Sequence, residues 1–329
     1  MKQRYYLFDN IKFFLIFLVI VGHMMEPYRS ISFNGPVYGW IYLFHMPLFI
    51  LISGYFSKQY TDVEKFLWSE IRLLEILAVF HLGSILFKIV VFGKSVGLAD
   101  IVIPGYGSWY LLSLAYWRAI LQYTPRNWLQ SVWLIPASVC ISLLGGYVPV
   151  GGAFSVQRTF TFLPFFLLGY SIRQNQSLEK VRLRPVLAVA LIVAISAVVL
   201  PVCDMGSGGG KIHSVMMGTY SYFKGDDFIP YPLLSRAVFL MSSYTMCIAV
   251  MSVFPYRKTP LLSDNGKDTL FFYVYHAFVY RLLFHVFRIE PSTVNLILGA
   301  IVVISILIVM KRIKALWWLL NPVTKMINK

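Results

Sequence analysis

The chain has 329 residues, of which 58% are hydrophobic and 13% are charged, and its mean hydropathy is +0.69. A water-soluble domain needs more polar surface than this, so the composition indicates an integral membrane protein in contact with membrane lipids. The net charge of +15 does not predict a nucleic acid partner, because the basic residues lie in short segments between apolar runs.

These apolar runs predict an all-α polytopic membrane protein with about ten transmembrane helices. Each run is close to the ~20 residues that a helix needs to cross the hydrocarbon core. The predicted spans are 8–27, 37–56, 67–92, 107–124, 128–148, 156–173, 185–203, 233–254, 268–288 and 292–311. We interpret residues 1–329 as one transmembrane domain, with a basic, aromatic tail at 312–329 along the inner membrane surface.

Lysine and arginine predict the orientation of these spans. The termini and every second connection between spans are rich in basic residues, whereas the other connections contain few of them. Because cytoplasmic loops are enriched in Lys and Arg, both termini are predicted to be cytoplasmic. The longest outer connection, residues 204–232, contains the stretch GSGGG. It is either a lid over a site or a flexible connector, and both interpretations stay open.

The first span, DNIKFFLIFLVIVGHMMEP at 9–27, contains polar residues at both ends. Lys12 and His23 are 11 residues apart, about 20° beyond three full turns, so they share one face at depths that differ by about 16 Å. Asp9 can pair with Lys12, and Glu26 can orient His23 or stabilise its protonated form. The alternative is that Lys12 snorkels to the inner interface and that His23 is only a polar end of the helix.

Other spans also carry polar residues, which are costly inside a membrane and generally mark a site or a pathway. Toward the cytoplasm we place Lys12, Ser53, Glu70, Arg72, Glu75 and Arg118. Toward the outside we place His23, Glu26, Trp109, Arg158, Arg236 and His285. Between these depths lie His45, His81 and His276. This pattern predicts a polar cavity through the membrane with a cationic inner mouth.

No metal is predicted, because the histidines are scattered over separate segments without an HExxH motif. Serine-nucleophile, phosphate-loop and dinucleotide motifs are also absent from the sequence. Histidine therefore remains the best candidate for proton transfer, since it titrates near neutral pH.

Five segments carry a family resemblance in chain order. They are DNIKFFLIFLVIVGH with its Lys12-x10-His23 spacing, FHMPLFILISGYF (44–56), GSWYLL (107–112), RTFTFLPFFLLGY (158–170) and GKDTLFFYVYHAFV (266–279). Together they resemble the acyltransferase 3 family of membrane-bound O-acetyltransferases, and the last two resemble its fucose 4-O-acetylase-like subgroup.

The resemblance implies ten core helices in a cell membrane, expected to be the bacterial cytoplasmic membrane. It implies acetyl-coenzyme A as the acyl donor, used from the cytoplasm, and a carbohydrate acceptor, either a surface polysaccharide or a lipid-linked glycan. It also implies that His23 is catalytic and that Lys12 is associated with the donor. Many members have Arg at the position of Lys12, and Lys lacks the planar fork of Arg.

These considerations give three groups of candidate residues. The catalytic candidates are His23 as general base, Glu26 and Arg158. The donor-binding candidates are Lys12, Ser53, Arg72 and Arg118. The acceptor-binding candidates are Trp109, Arg236 and His276. Direct transfer is the expected scheme, because no strong nucleophile for an acyl-enzyme is evident.

Two other classes of protein would also account for parts of this pattern. A transporter or flippase for an anionic solute or lipid-linked sugar also needs a polar path, but it predicts internal repeats, and none is evident in the sequence. A sensor or assembly subunit without chemistry leaves the Lys12-x10-His23 pattern unexplained.

Overall fold

The computed structural model describes residues 5–31, 33–97, 100, 107–149, 153–204, 210–219, 221–224, 227–228 and 231–322. In these residues the helices are α1 (Tyr6–Met25), α2 (Asn34–Phe56), α3 (Val63–Phe92), α4 (Ser108–Tyr123), α5 (Arg126–Leu129), α6 (Leu134–Gly145), α7 (Val156–Gln174), α8 (Leu178–Val181), α9 (Pro185–Asp204), α10 (Gly210–Met217), α11 (Pro232–Val253), α12 (Pro260–Gly266), α13 (Thr269–Phe287), α14 (Thr293–Met310) and α15 (Lys314–Leu320). Short 3-10 turns cover Glu26–Tyr28 and Ala153–Ser155, and a small antiparallel hairpin pairs Phe223–Lys224 with Asp227–Phe228.

The prediction of an all-α polytopic membrane protein is confirmed. Among the described residues, seven helices are long and apolar enough to cross a membrane, namely α1, α2, α3, α9, α11, α13 and α14. The number of ten spans and the cytoplasmic termini stay predictions. Much of GSGGG and the end of the tail, residues 323–329, lie outside the described residues.

The fifth predicted span, 128–148, contains only a short helix. A break at 130–133 separates α5 from α6, and α6 has 12 residues. A helix of that length extends about 18 Å, less than the ~30 Å of a hydrocarbon core. The continuous apolar composition of this run concealed the break.

Helices α1 and α2 form the interior of the bundle. The apolar window of each is 78% buried, whereas the windows of α3 and α9 are only 11% buried. Helix α1, which carries Lys12 and His23, is therefore surrounded by protein, and α3 and α9 turn most of their apolar surface outward. A polar side chain on α1 consequently faces other helices, where it can be hydrogen-bonded or line a cavity.

Two glycines let α2 and α7 approach each other closely. A Cβ atom on Gly54 would lie 1.9 Å from the Phe166 carbonyl oxygen, and one on Gly169 would lie 1.9 Å from the Leu51 carbonyl oxygen. Small residues allow such backbone contact between membrane helices. The contact fixes α7, which carries Arg158, against the central helix of the bundle.

Proline in α2 is accommodated by a neighbouring helix. Pro47 lacks an amide hydrogen, so the Leu43 carbonyl one turn earlier has no helical donor. The Ser243 hydroxyl of α11 donates to that carbonyl at 2.5 Å. The freed carbonyl is thus satisfied inside the bundle, as membrane burial requires.

The inner end of α1 is anchored by Asn10, which is fully buried. Its amide nitrogen donates to the carbonyls of Pro255 and Arg257 at 3.0 and 3.1 Å, and its amide oxygen accepts from the Ser263 hydroxyl at 2.6 Å. A Cβ atom on Gly266 would meet the Asp9 carbonyl oxygen at 1.8 Å. The segment before α13 therefore packs directly on the start of α1.

Helix α3 is capped at both ends. The Asp62 carboxylate accepts from the Glu64 and Lys65 amides at 2.9 and 3.4 Å, which satisfies donors in the first turn. The side-chain hydrogen bond from Lys65 lowers the pKa of Asp62 below its ordinary value. Gly93 ends the helix in the left-handed conformation with φ of 61°.

Candidate functional site

A cavity of about 780 Å³ lies at the end of the bundle where α1, α3 and α13 finish and where α4 and α7 begin. The predicted orientation places this end outside the cytoplasm. Four of the predicted site residues line the cavity, namely His23, Glu26, Trp109 and Arg158. Its volume is in the range of ordinary small-molecule sites, about 300–1,000 Å³.

His23 and Glu26 interact at the end of α1. The His23 Nδ1 atom lies 3.4 Å from the Glu26 Oε2 atom, and the two side chains are 12% and 35% exposed. The carboxylate favours the tautomer in which Nδ1 carries the hydrogen, which leaves Nε2 as the nitrogen that can accept a proton. This is the arrangement that a general base needs.

The His23 ring also contacts two aromatic residues of α13. Its centroid lies 5.4 Å from that of His276 and 6.5 Å from that of Tyr280, and both pairs are stacked. His276 is fully buried, and its Nδ1 atom lies 2.7 and 3.2 Å from the carbonyls of Tyr273 and Phe272. Nδ1 therefore carries the hydrogen, and the buried Nε2 has no hydrogen-bond partner among the described residues. His276 therefore stacks against the His23 ring and does not itself line the cavity.

Arg158, near the start of α7, is held by two contacts. Its guanidinium carbon lies 4.7 Å from the centroid of the Trp109 ring, a cation–π distance. Its Nε and Nη2 atoms donate to the Thr219 hydroxyl at 3.2 and 2.9 Å. Trp109 itself is 7% exposed. The ring therefore positions the guanidinium and offers little surface for stacking with a sugar.

Helix α2 contributes two further polar side chains, His45, which the sequence placed in the polar cavity without a role, and Tyr42, which sequence analysis did not single out. Tyr42 and His45 both line the cavity, and their ring centroids are 4.7 Å apart. The His45 Nδ1 atom lies 2.7 Å from the Ile41 carbonyl. Their spacing of three residues on one face of α2, before the Ser-Gly pair of the second signature, was the available signal.

Part of the outer connection forms one wall of the cavity. Met216 and Met217, at the end of α10, line it together with Met24 and Met46 of the bundle. The Tyr38 hydroxyl lies 3.5 Å from the Met217 sulfur. The Tyr222 hydroxyl donates to the Leu143 carbonyl at 2.9 Å. The connection is thus packed on the bundle at these points, and opening of a lid stays a prediction.

The donor-binding candidates lie outside the cavity lining. Lys12 pairs with Asp9 at 2.9 Å, and Arg118 pairs with Glu70 at 2.9 Å. The side chain of Arg72 is exposed on lipid-facing α3. These ion pairs give Lys12 and Arg118 a structural role, in addition to the donor binding that was predicted for them.

Ser53 is connected to the cavity through two tyrosines. Its hydroxyl lies 2.6 Å from the Tyr110 hydroxyl, and the ring of Tyr110 lies 5.4 Å from that of Tyr273. Tyr273 lines the cavity and donates to the Gly107 carbonyl. The two rings therefore lie between Ser53 and the cavity.

Arg236, an acceptor-binding candidate, is fully buried away from the cavity lining. It donates to the Thr161 hydroxyl at 2.6 Å, and its guanidinium lies 5.7 Å from the centroid of the Tyr222 ring. These contacts connect α11, α7 and the outer connection. These contacts give Arg236 a structural role, which differs from the acceptor binding that was predicted for it.

A metal centre has no support in the described part of the chain, where no group of three or more His, Cys, Asp or Glu side chains is placed to hold an ion. That the protein needs no metal stays a prediction.

Comparison with known proteins gives the class of this membrane protein. The profile of the acyltransferase domain matches residues 5–311, which include every helix that lines the cavity. The chain therefore belongs to the acyltransferase 3 family. Membership of the fucose 4-O-acetylase-like subgroup stays a prediction.

Two curated relatives are nodulation proteins NolL. The one from Sinorhizobium fredii (strain NBRC 101917 / NGR234) is 29% identical over 191 residues, which cover 51% of this chain and 48% of the relative. The one from Mesorhizobium japonicum (strain LMG 29417 / CECT 9101 / MAFF 303099) is 28% identical over 190 residues, which cover 51% and 47%. The chain thus spans about half the length of the curated relatives it matches. No solved structure matches it significantly.

Proposed function

We propose that the protein is a membrane O-acetyltransferase that moves an acetyl group from cytoplasmic acetyl-coenzyme A to a hydroxyl of a cell-surface or lipid-linked carbohydrate. Family membership supports acyl transfer. The observation that carries the proposal is the placement of the His23–Glu26 pair and Arg158 around one cavity. A base, its orienting carboxylate and a fixed cation are the groups that acyl transfer to a hydroxyl requires.

His23 acts as the general base in this proposal. Its Nε2 atom takes the proton of the acceptor hydroxyl while the oxygen forms a bond to the acetyl carbonyl carbon. Glu26 stabilises the imidazolium that results. As the carbon–sulfur bond breaks, His23 returns the proton to the sulfur, so that an ester and a free thiol are formed. No covalent bond to the protein is needed.

Arg158 stabilises the negative charge that develops on the carbonyl oxygen. Two contacts, the Trp109 ring and the Thr219 hydroxyl, fix the guanidinium before the reaction begins. A preorganised donor of this kind contributes about 10²–10³ in rate in other acyl transfer enzymes. Trp109 is therefore a positioning residue in the proposal.

The donor supplies the acetyl group as a thioester at the end of a long, thin arm with a polyanionic head. Lys12 is at the opposite end of α1 from His23, at a separation of about 16 Å along the helix axis. Lys12 would hold the head, and the arm would extend toward His23. Tyr110 and Tyr273 lie between Ser53 and the cavity and are expected to border the arm.

The activity is tested in cells with and without the protein. Surface glycans are isolated and their acetyl content is measured by mass spectrometry before and after mild base. We expect base-labile acetyl groups only when the protein is present, and a greatly reduced content with His23→Ala. Equal acetylation in both strains would overturn the proposal.

The direction of transfer is tested in sealed vesicles of known orientation. Acetyl-coenzyme A should be used only from the cytoplasmic face, and a membrane-impermeant glycan acceptor only from the opposite face. Use of both from the cytoplasmic face would contradict the transmembrane scheme.

A further inference from the structure

One side of the cavity mouth is formed by basic side chains that the proposed reaction does not use. We call Lys88, Lys94, Arg281 and His285 the cationic rim. Lys88 and Lys94 come from the end of α3 and the segment after it, and the other two come from the end of α13. With Arg158, four lysine or arginine side chains line the cavity, and Glu26 is the one carboxylate in its lining among the residues that the structure describes.

Among the described residues, nearby carboxylates offset part of this positive charge, and the charge of Lys94 is left without an ion pair. Lys88 pairs with Asp100 at 2.7 Å. The hydrogen bond from Lys88, with a further one from the Gly97 amide, lowers the pKa of Asp100, which is therefore ionised at neutral pH. Lys94 is exposed and makes no ion pair with any described residue. Arg281 is 8% exposed, so its charge is held inside the mouth.

Membrane orientation alone does not account for this cluster. Outer connections are predicted to be poor in basic residues. An isolated basic residue at a membrane interface extends toward lipid phosphates. Here, in contrast, the side chains of Lys88 and Arg281 line a protein cavity together. A neutral sugar has no need of such charges, whereas an anion in a partly dry mouth interacts with them strongly.

The helices on either side of the rim face lipid. Leu86 and Val90 of α3 are 61% and 71% exposed, and Leu282 and Val286 of α13 are 46% and 59% exposed. These apolar side chains lie within four residues of Lys88 and His285 along the sequence. An amphiphile with an anionic head can therefore reach the rim from the membrane, and a soluble anion can reach it from the aqueous side through exposed Lys94.

We propose that the cationic rim is an anion-binding subsite for the acceptor, which carries a phosphate, diphosphate or carboxylate group beside the sugar that is acetylated. This deepens the proposed function and rests on it for the identity of the acceptor. Binding of the anion does not depend on acetyl transfer, so the two can be tested separately. The anion comes either from a lipid diphosphate carrier or from an acidic sugar of the glycan.

Binding is measured by calorimetry on the purified protein in a neutral detergent. Farnesyl diphosphate, farnesol, inorganic diphosphate and glucuronate are the probes. We expect at least one anion to bind with a Kd that rises with salt, and farnesol to bind at least tenfold more weakly than farnesyl diphosphate. Preference for farnesyl diphosphate over inorganic diphosphate indicates a lipid carrier. Preference for glucuronate indicates an acidic glycan.

Matched variants test the residues. Lys94→Glu and Lys88→Gln should each weaken binding of the preferred anion by about tenfold, equivalent to 1.4 kcal/mol. Lys180→Glu changes an exposed lysine on the opposite side, and Lys258→Gln breaks another Lys–Asp pair, Lys258 to Asp264 at 3.1 Å. Both controls should bind as the wild type does. The proposal is overturned if no anion binds or if the rim variants match the controls.

Transfer kinetics separate this inference from the proposed function. Rim variants should raise KM for the acceptor and leave KM for acetyl-coenzyme A unchanged. If they raise KM for the donor instead, the rim holds the donor and the inference is wrong, although the acetyltransferase stands. If anions bind at the rim but the wild type transfers no acetyl group, the function is wrong and only the anion subsite stands.

Discussion

The ring of His23 stacks on the ring of His276, with 5.4 Å between centroids and 27° between planes. His276 is fixed in turn by the carbonyls of Phe272 and Tyr273. On another side His23 contacts Glu26. The orientation of the candidate base is thus controlled by two neighbours from different helices.

We expect His276→Ala to lower turnover by about 10²-fold, because a small displacement of a catalytic group can cost that much. His276→Phe keeps a ring against His23 and should retain more of the activity. The turnover rates of the two variants are compared once thermal unfolding has shown that the variants have similar unfolding temperatures. Equal loss in both would show that His276 acts through its nitrogen and not by positioning the ring.

His23→Ala should lower the rate of acetyl transfer by about 10²–10⁴, the contribution of a general base. The protein should remain folded, because His23 is at the end of its helix and partly lines a cavity. His81→Ala, on lipid-facing α3, is the matched control and should be close to wild type. Turnover by the purified His23 variant at the wild-type rate would contradict the assignment.

Arg158 and Trp109 should act as a coupled pair. Arg158→Lys loses the two-nitrogen contact with Thr219, and Trp109→Leu removes the ring that carries the guanidinium. The two changes should be non-additive in kcat, with a coupling of about 0.5–2 kcal/mol, the range of cation–π interactions. Strict additivity in this double-mutant cycle would mean that Trp109 does not position Arg158.

Lys12→Ala should weaken acetyl-coenzyme A binding by about tenfold or more, because a hydrogen bond to a charged group contributes about 1.5–3 kcal/mol. Asp9→Asn disrupts the pair with Lys12 but leaves the positive charge in place. It should therefore bind the donor at least as well as the wild type does. If both variants weaken donor binding equally in calorimetry, Lys12 is only part of a structural ion pair.

Gly169→Ala should destabilise the bundle, because its new methyl group would meet the Leu51 carbonyl oxygen at 1.9 Å. Overpacking of this kind costs about 1–3 kcal/mol or more when backbone must move. Gly97→Ala is the matched control, since nothing lies within 4 Å of its added methyl group. Thermal unfolding in detergent should show a lower Tm for Gly169→Ala alone.

The helical repeat explains which parts of this site could be predicted from the sequence. Lys12 and His23 share a helix, and Glu26 follows one turn after His23, so their relative positions depend only on local geometry. The all-α membrane fold also followed from local composition. Both kinds of inference require no knowledge of which helices are neighbours.

The remaining site depends on contacts between distant segments, and sequence alone did not predict those. The sequence placed Arg158 and Arg236 at the same depth, toward the outside of the membrane. In the structure, Arg158 lines the cavity, whereas Arg236 is buried against Thr161. Arg118 was predicted to bind the donor, yet it forms an ion pair with Glu70 of another helix. What each arginine can do therefore depends on which side chains it contacts and on whether it faces the cavity, and not on its residue type alone.

The segment 216–219 combines two roles that are usually separate. Met216 and Met217 form one wall of the cavity, and Thr219, two residues later, holds the guanidinium of Arg158. Gly218 between them has φ of 59° and packs on Thr161, so the segment has little freedom. Substitutions here that admit a new acceptor should therefore alter the reaction rate as well. Among homologues, substrate range and turnover are expected to diverge together through this short segment, whereas changes on the lipid-facing side of α3 leave both untouched.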